Sequence, residues 1–118
     1  MKILELPLKK EWYNMIESGE KREEYREIKP YWMKRLCWDA DFNEPVSSDD
    51  CEYLCSHIDS AVNMFYGGWE PKDYSHVRFR YGYTKRKMLY KIDEIIIGRG
   101  NPNWGAPTDK DVFIIKFH

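Results

Sequence analysis

The most informative part of this chain is one ten-residue stretch, Ser18-Gly19-Glu20-Lys21-Arg22-Glu23-Glu24-Tyr25-Arg26-Glu27. Residues 8–18 before it have a helical pattern, and residues 30–36 after it are rich in aromatic and apolar side chains. A glycine followed by a lysine and a run of charges predicts a turn that leads into a strand with an ionic face. Such a face is either solvated or lines a pocket, and this choice determines what the protein does.

Side chains alternate between the two faces of a strand, so the charges of this stretch divide into two sets. The sets are Arg22, Glu24 and Arg26 on one face, and Glu23, Tyr25 and Glu27 on the other. Lys21 at the turn is close enough to pair with Glu24, and two flanking cations would keep that carboxylate ionised. Arg26 would then hold Glu24 in place or bind a phosphate through two N–H groups. The alternative is a solvent-facing strand with ion pairs to its neighbours.

The remaining elements are predicted as helices early in the chain and strands late. Trp12, Met15 and Ile16 form an apolar stripe at i, i+3 and i+4, which predicts a helix over 9–18 with Gly19 as its C-terminal cap. Further helices are predicted at 30–36, with Pro30 in the first turn, and at 51–65, ending at the glycine pair 67–68. The predicted strands are 3–8 (or an extended arm), 22–27, 76–83, 88–97 and 112–117, with loops in the acidic segment after residue 36 and at 98–109. This order predicts an α+β domain around a small, mostly antiparallel sheet or barrel.

Length and charge limit the classes of protein to which the chain can belong. With 118 residues, 42% hydrophobic and 16% aromatic, it can build one core, so a single domain 1–118 is predicted. A net charge of −1 gives no overall attraction to nucleic acid or membrane. Residues 39–59 hold seven acids and no lysine or arginine, whereas residues 76–100 hold seven bases and two acids, which hints at a basic face. The absence of a signal peptide and of a transmembrane run, with three cysteines, predicts a cytoplasmic protein without a membrane partner.

Aromatic residues interleave with bases between residues 78 and 85, as single-stranded RNA binding requires, because rings stack on bases and cations pair with phosphates. Three of these aromatic side chains share one face of the predicted strand: Phe79, Tyr81 and Tyr83. Alternate aromatic residues of a strand are typical of a core, so Arg78 and Arg80 on the opposite face are the better candidates for binding. Trp104 follows in a loop of small residues, where it either covers a pocket or closes the end of a barrel.

A metal site is another chemistry to weigh, since four potential zinc ligands are present: Cys37, Cys51, Cys55 and His57. Their spacing matches no common zinc module, and buried or idle thiols are the more usual explanation. The chain has no glycine-rich phosphate loop and no recognisable Ser-His-Asp arrangement. No metal and no cofactor is therefore expected.

With its helix, its Gly-x-Lys motif at Gly19-Glu20-Lys21 and a strand that ends at Arg26, the segment 8–36 resembles the start of an ASCH domain. Residues 79–83, 104–107 and 112–117 also resemble segments of phage and bacterial members of that family. The resemblance implies a PUA-like fold, a small mixed and mostly antiparallel β-barrel with flanking helices. It leaves residues 39–75 unmatched, as an acidic insertion.

The resemblance also implies a ligand, RNA or a nucleotide, in a cleft beside the motif. The candidate ligand-binding residues are Gly19, Lys21, Glu24, Arg26, Arg78, Arg80 and Trp104. Some small members of the family are amidohydrolases that deacylate acetylated cytidine with the motif lysine, a threonine three residues later and a distant glutamate. By position the lysine is Lys21, and Glu24 stands at the threonine position, where a carboxylate would act as a base or hold a ligand rather than accept an acyl group.

Three functions therefore remain open at this point. The first is an RNA- or nucleotide-binding module that uses the cleft. The second is a small hydrolase of a modified nucleoside with Lys21 and Glu24 as catalytic residues. The third is a protein-interaction domain that meets its partner through the acidic segment.

Overall fold

Two β-sheets and three α-helices make up the part of the chain that the computed structural model describes, residues 1–57, 65 and 67–118. The helices are α1 (Lys10–Glu17), α2 (Pro30–Leu36) and α3 (Ser48–Ser56). The strands are β1 (Ile3–Leu8), β2 (Glu23–Arg26), β3 (Cys37–Asp39), β4 (Glu44–Pro45), β5 (Trp69–Pro71), β6 (His76–Tyr81), β7 (Lys87–Gly98) and β8 (Val112–Phe117). The predicted α+β class is confirmed.

The larger sheet has five strands in the order β1-β6-β7-β8-β2. Only the pairing of β1 with β6 is parallel; the other three pairings are antiparallel, as the sequence predicts. β1 and β2 are the two edge strands, and no pairing joins them within the described residues. The sheet is therefore open, and the predicted closed barrel is not confirmed.

Apolar residues form a cluster on each face of the larger sheet. The main core lies on the inner face, where Leu6 and Phe79 are opposite each other in the β1–β6 register and fully buried. Tyr13 and Ile16 of α1 pack against this core. A smaller cluster on the outer face contains Tyr25, Ala106, Val112 and Ile114. Because β8 contributes to both clusters, its sequence is almost uniformly apolar.

The end of α1 places the motif lysine. Gly19 has φ +84°, a left-handed conformation that glycine adopts without strain, so the predicted cap is confirmed. The turn brings the Lys21 N–H back to the carbonyl oxygen of Met15, 3.0 Å away. Lys21 is thereby held against the last turn of the helix instead of extending into solvent.

The acidic segment after residue 36 is more ordered than the predicted loop. It contains β3 and β4, which form a three-stranded sheet with β5 in the order β4-β3-β5, and it continues into α3. Ser47 caps α3 by accepting a hydrogen bond from the N–H of Asp50 at 3.1 Å. Val46 and Cys51 are buried in the main core, so the loop prediction is wrong because two apolar side chains anchor this segment.

Two other predicted boundaries differ from the structure. The third helix ends at Ser56, and the rest of the helix predicted for 51–65 lies largely outside the described residues. The strand predicted for 76–83 ends at Tyr81, because Gly82, with φ +54°, turns the chain. Tyr83 is consequently fully exposed, and its assignment to the core is wrong. No helix within the described ranges is long and apolar enough to cross a membrane.

Candidate functional site

A cleft of about 290 Å³ lies between the two edge strands of the larger sheet. Pro7 and Leu8 of β1 line one side of the cleft, and Glu24 and Arg26 of β2 line the other. The Arg26 Nη2 group donates a long hydrogen bond of 3.4 Å to the carbonyl oxygen of Pro7, which links the two edges. The cleft therefore occupies the gap where a barrel would close.

Lys21 is one of the most deeply buried charged side chains in the described residues, with 1% of its surface exposed. Its Nζ donates to the carbonyl oxygen of Trp104 at 2.6 Å and to Glu24 Oε1 at 3.3 Å. The ammonium group also lies 4.5 Å from the ring centroid of Trp12, in a cation–π contact. Burial lowers the pKa of Lys21, and the neighbouring Glu24 carboxylate opposes that shift.

Glu24 uses one of its two carboxylate oxygens for all its contacts. Oε1 accepts from Lys21 Nζ at 3.3 Å and from the Tyr25 N–H at 2.9 Å, and it lies 3.3 Å from Arg26 Nη1. Oε2 is buried and has no hydrogen-bond partner among the described residues. A buried carboxylate oxygen without a donor is unfavourable, and such groups are often completed by a ligand, ion or water.

Arg26 lies at the boundary between this cleft and a second cavity of about 450 Å³. Nη1 donates to the carbonyl oxygen of Tyr25 at 2.7 Å, and the guanidinium carbon is 5.1 Å from the ring centroid of Trp32. Burial lowers the pKa of Arg26, against the effect of Glu24. Lys21, Glu24 and Arg26 together carry two cations and one carboxylate, so the cluster is short of negative charge.

The structure brings four of the predicted site residues together: Lys21, Glu24, Arg26 and Trp104. Trp104 takes part through its carbonyl oxygen, which lies in a short 3₁₀ helix (Pro102–Trp104) that the left-handed Gly105 ends at φ +100°. Gly19 shapes the turn that precedes Lys21 but does not line the cleft.

Arg78 and Arg80 lie elsewhere, on the outer face of the sheet. Both donate to the carboxylate of Glu5 on the neighbouring strand β1, and neither lines the cleft. These two bonds lower the pKa of Glu5 to about 2. Sequence alternation places the two arginines on the face opposite Phe79, but their partner comes from a parallel pairing that alternation does not reveal.

Sequence reasoning missed Trp12 and Trp32 as parts of the site. Helical spacing places Trp12 in the apolar stripe of α1, but its ring lies against Lys21 at the cleft. A signal for this contact is its position five residues before the end of a helix that precedes Gly-x-Lys, because the chain reverses there and brings Lys21 back against the helix. Trp32 lies against both Arg26 and Arg35, and no sequence signal identifies those contacts.

The cysteines do not assemble a metal centre in the part of the chain that the structure describes. Cys37 and Cys51 are buried, and burial raises the pKa of both thiols. Cys55 is close to the carbonyl oxygen of Ile28, and His57 stacks on Tyr53 with the ring centroids 4.3 Å apart. No group of three metal-ligating side chains is found there.

The cleft thus combines aromatic residues, three cations (Lys21, Arg26 and the exposed Lys9) and a carboxylate with an unused oxygen, which suits a flat ligand that donates hydrogen bonds. Comparisons of the chain with family models, curated proteins and solved structures find no match. The geometry of the cleft is therefore what bears on function.

Proposed function

We propose that the chain binds RNA or a nucleotide in the cleft between β1 and β2, as its resemblance to ASCH domains implies. The observation that carries the proposal is the buried cluster of Lys21, Glu24 and Arg26 in a cavity walled by aromatic side chains. Charged groups that are buried beside a cavity are more often functional than ion pairs on an open surface.

The chemistry of the walls matches a nucleobase. Trp12, Tyr25 and Trp104 line the cleft, and aromatic side chains are the groups on which a base stacks. The cavity volume of about 290 Å³ is near the lower end of small-molecule sites. Carboxylates accept hydrogen bonds from the exocyclic amino groups of bases, and rotation of the soft terminal torsion of Glu24 would turn Oε2 toward such a donor.

The proposed relation to ASCH domains also extends to the fold. An open sheet whose edges meet through the Arg26 side chain is compatible with a PUA-like barrel that is completed by side chains instead of a strand pairing. In this interpretation residues 1–118 form a single domain, residues 39–75 are an insertion that the family resemblance does not cover, and the protein acts in the cytoplasm.

Binding is tested by titrating the protein with short single-stranded RNA while the tryptophan fluorescence is recorded. We expect saturable binding that weakens with salt, and a clear loss of affinity in Arg26→Ala. Lys85→Ala is the matched control, because Lys85 is an exposed cation outside the cleft. The proposal would be contradicted if Arg26→Ala is folded and binds the RNA with the same affinity as the wild type.

A hydrolase is the second candidate, favoured by one observation. Lys21 has a lowered pKa next to a carboxylate, a combination that is common in acid–base catalysis. Such an enzyme would release acetate from N4-acetylcytidine by adding water across the amide bond, and Lys21→Ala would abolish the release. Glu24 offers no hydroxyl for acyl transfer, so a binding function is the better match to these residues.

An interaction with a protein partner through the acidic segment stays a prediction. Deleting residues 39–59 would be a poor test, since Val46 and Cys51 belong to the main core. Replacing the exposed Asp49 and Glu52 by lysine keeps that core and should abolish capture of the partner if this role is real.

A further inference from the structure

The second cavity shares Arg26 and Tyr25 with the cleft, so the two spaces adjoin. Its charged lining consists of Arg26, Lys29 and Lys110, with Glu27 as the opposing carboxylate. Lys29 and Lys110 are exposed, whereas Arg26 is mostly buried. The cavity therefore offers three cations and one anion, with one cation fixed in place and two at the rim.

The charged groups on the buried side of this cavity include more cations than anions. Lys21 and Arg26 share the single carboxylate of Glu24. Arg35 is also nearby, since its guanidinium and that of Arg26 both lie against the ring of Trp32, at 6.0 and 5.1 Å from the centroid. The charge of Arg35 adds to the burial that lowers the pKa of Arg26, and Arg35 Nε is buried without a hydrogen-bond partner among the described residues. An anion placed here would offset an existing positive surplus.

Arg26 has donors to spare for such an anion. A guanidinium carries five N–H groups. Those of Arg26 make hydrogen bonds from Nη1 to the Tyr25 carbonyl oxygen and from Nη2 to the Pro7 carbonyl oxygen. Nη1 also lies 3.3 Å from Glu24 Oε1, whereas Nε makes no hydrogen bond among the described residues. Nε and a remaining Nη2 N–H can therefore donate to the oxygens of a phosphate.

We propose that the second cavity is an anion subsite that binds a phosphate group of the ligand whose base lies in the cleft. This inference rests on the proposed function and narrows it: the ligand is a nucleotide, free or within a chain, and not a nucleoside. Arg26 binds the phosphate from the buried side, and Lys29 and Lys110 close over it from the rim.

Isothermal titration calorimetry at constant ionic strength tests the subsite. The probes are the four ribonucleosides and their 5′- and 3′-monophosphates. For the best base we expect one of the monophosphates to bind roughly ten- to a hundredfold more tightly than the nucleoside, as one or two charge-assisted hydrogen bonds would provide. Inorganic phosphate should compete with the monophosphate but not with the nucleoside.

Lys29→Gln and Lys110→Gln locate the phosphate. Each should reduce the advantage of the monophosphate several-fold and leave the affinity for the nucleoside unchanged, whereas the control Lys85→Gln should change neither. Both lysines are exposed, so neither substitution removes a core contact.

The failures of the two proposals are distinguishable. If nucleosides bind as tightly as their monophosphates, the anion subsite is overturned and the base-binding cleft stands. A phosphate advantage that both lysine variants retain would also overturn it, since the phosphate would then lie elsewhere. If no nucleoside, nucleotide or short RNA binds, the proposed function fails and the subsite fails with it.

Discussion

Replacing Glu24 by glutamine tests whether one carboxylate holds the buried cluster together. Glutamine has nearly the same shape, and its carbonyl oxygen can still accept the Tyr25 N–H. Lys21 and Arg26, however, lose their only shared anion among the described residues. Removing one partner of a buried ion pair typically costs about 3–5 kcal/mol, because a charge is left uncompensated.

The contacts that remain place the expected cost at the lower end of that range. Lys21 keeps the Trp104 carbonyl oxygen at 2.6 Å, and Arg26 keeps the Tyr25 carbonyl oxygen at 2.7 Å. We therefore expect Glu24→Gln to lower the free energy of unfolding by about 3 kcal/mol. Domains of this size usually have a free energy of unfolding of about 5–15 kcal/mol, so the variant should stay folded.

The matched variant is Lys21→Met, which removes a charge of the same cluster and fills similar space. Glu24 keeps Arg26 as its counterion, and the main loss is an unpaired Trp104 carbonyl oxygen. We expect a smaller loss of stability, about 1–2 kcal/mol. The double variant should lose less stability than the two single variants lose in sum, because it has no Lys21 charge to be left without its anion.

Urea denaturation followed by circular dichroism measures all four proteins of this cycle. Two results would refute the reasoning. One is a larger loss of stability in Lys21→Met than in Glu24→Gln. The other is a double variant whose cost equals the sum within about 0.5 kcal/mol, as for independent sites.

Three further expectations concern pH and packing. Burial lowers the pKa of Lys21 in the folded protein below its ordinary 10.5, so between the folded and the unfolded pKa the unfolded chain binds more protons. The free energy of unfolding should therefore rise with pH across that window. Urea midpoints measured at several pH values should show a smaller rise for Lys21→Met than for the wild type. The carboxylate of Glu5, with a pKa of about 2, should stabilise the fold above pH 4.5 and lose that effect as pH falls through 2. In urea titrations, Glu5→Gln should therefore lower the free energy of unfolding by about 1 kcal/mol at pH 7 and by almost nothing at pH 2. A loss of stability that is the same at both pH values would contradict this. In Gly100→Ala, the new Cβ would lie 2.5 Å from a ring carbon of Tyr25, so thermal unfolding should show a loss of stability of about 1–3 kcal/mol from overpacking. In Gly19→Ala, the new Cβ meets no atom within 4 Å. That variant should lose only about 1 kcal/mol, because alanine is strained in the left-handed backbone conformation.

Local features of the fold could be predicted from the sequence. The spacing of Trp12, Met15 and Ile16 identified α1, and Gly19 identified its end, because helix periodicity and capping depend on neighbouring residues. Alternation correctly placed Glu24 and Arg26 on one face of β2, opposite Ile115 and Phe113 of β8.

Features that depend on distant partners could not be predicted in the same way. Arg78 and Arg80 are of the residue type expected in a binding site. Both, however, donate hydrogen bonds to Glu5, because β1 pairs with β6 in parallel. The acidic segment has the composition of a loop, yet it forms strands and a helix because Val46 and Cys51 reach the main core. In both cases a contact across many residues outweighs the local pattern.

The ionic strand at residues 23–26 illustrates the same division. By itself, the sequence determined that a capped helix leads through a turn into a strand with charges on a shared face, since these properties follow from local backbone geometry. Only the tertiary structure decided that this face is buried. Lys21 finds the carbonyl oxygen of Trp104, 83 residues away, and β1 closes the far side of the cleft through Pro7. Burying a charge requires partners that satisfy it, and here the topology of the sheet, which no local pattern encodes, supplies them.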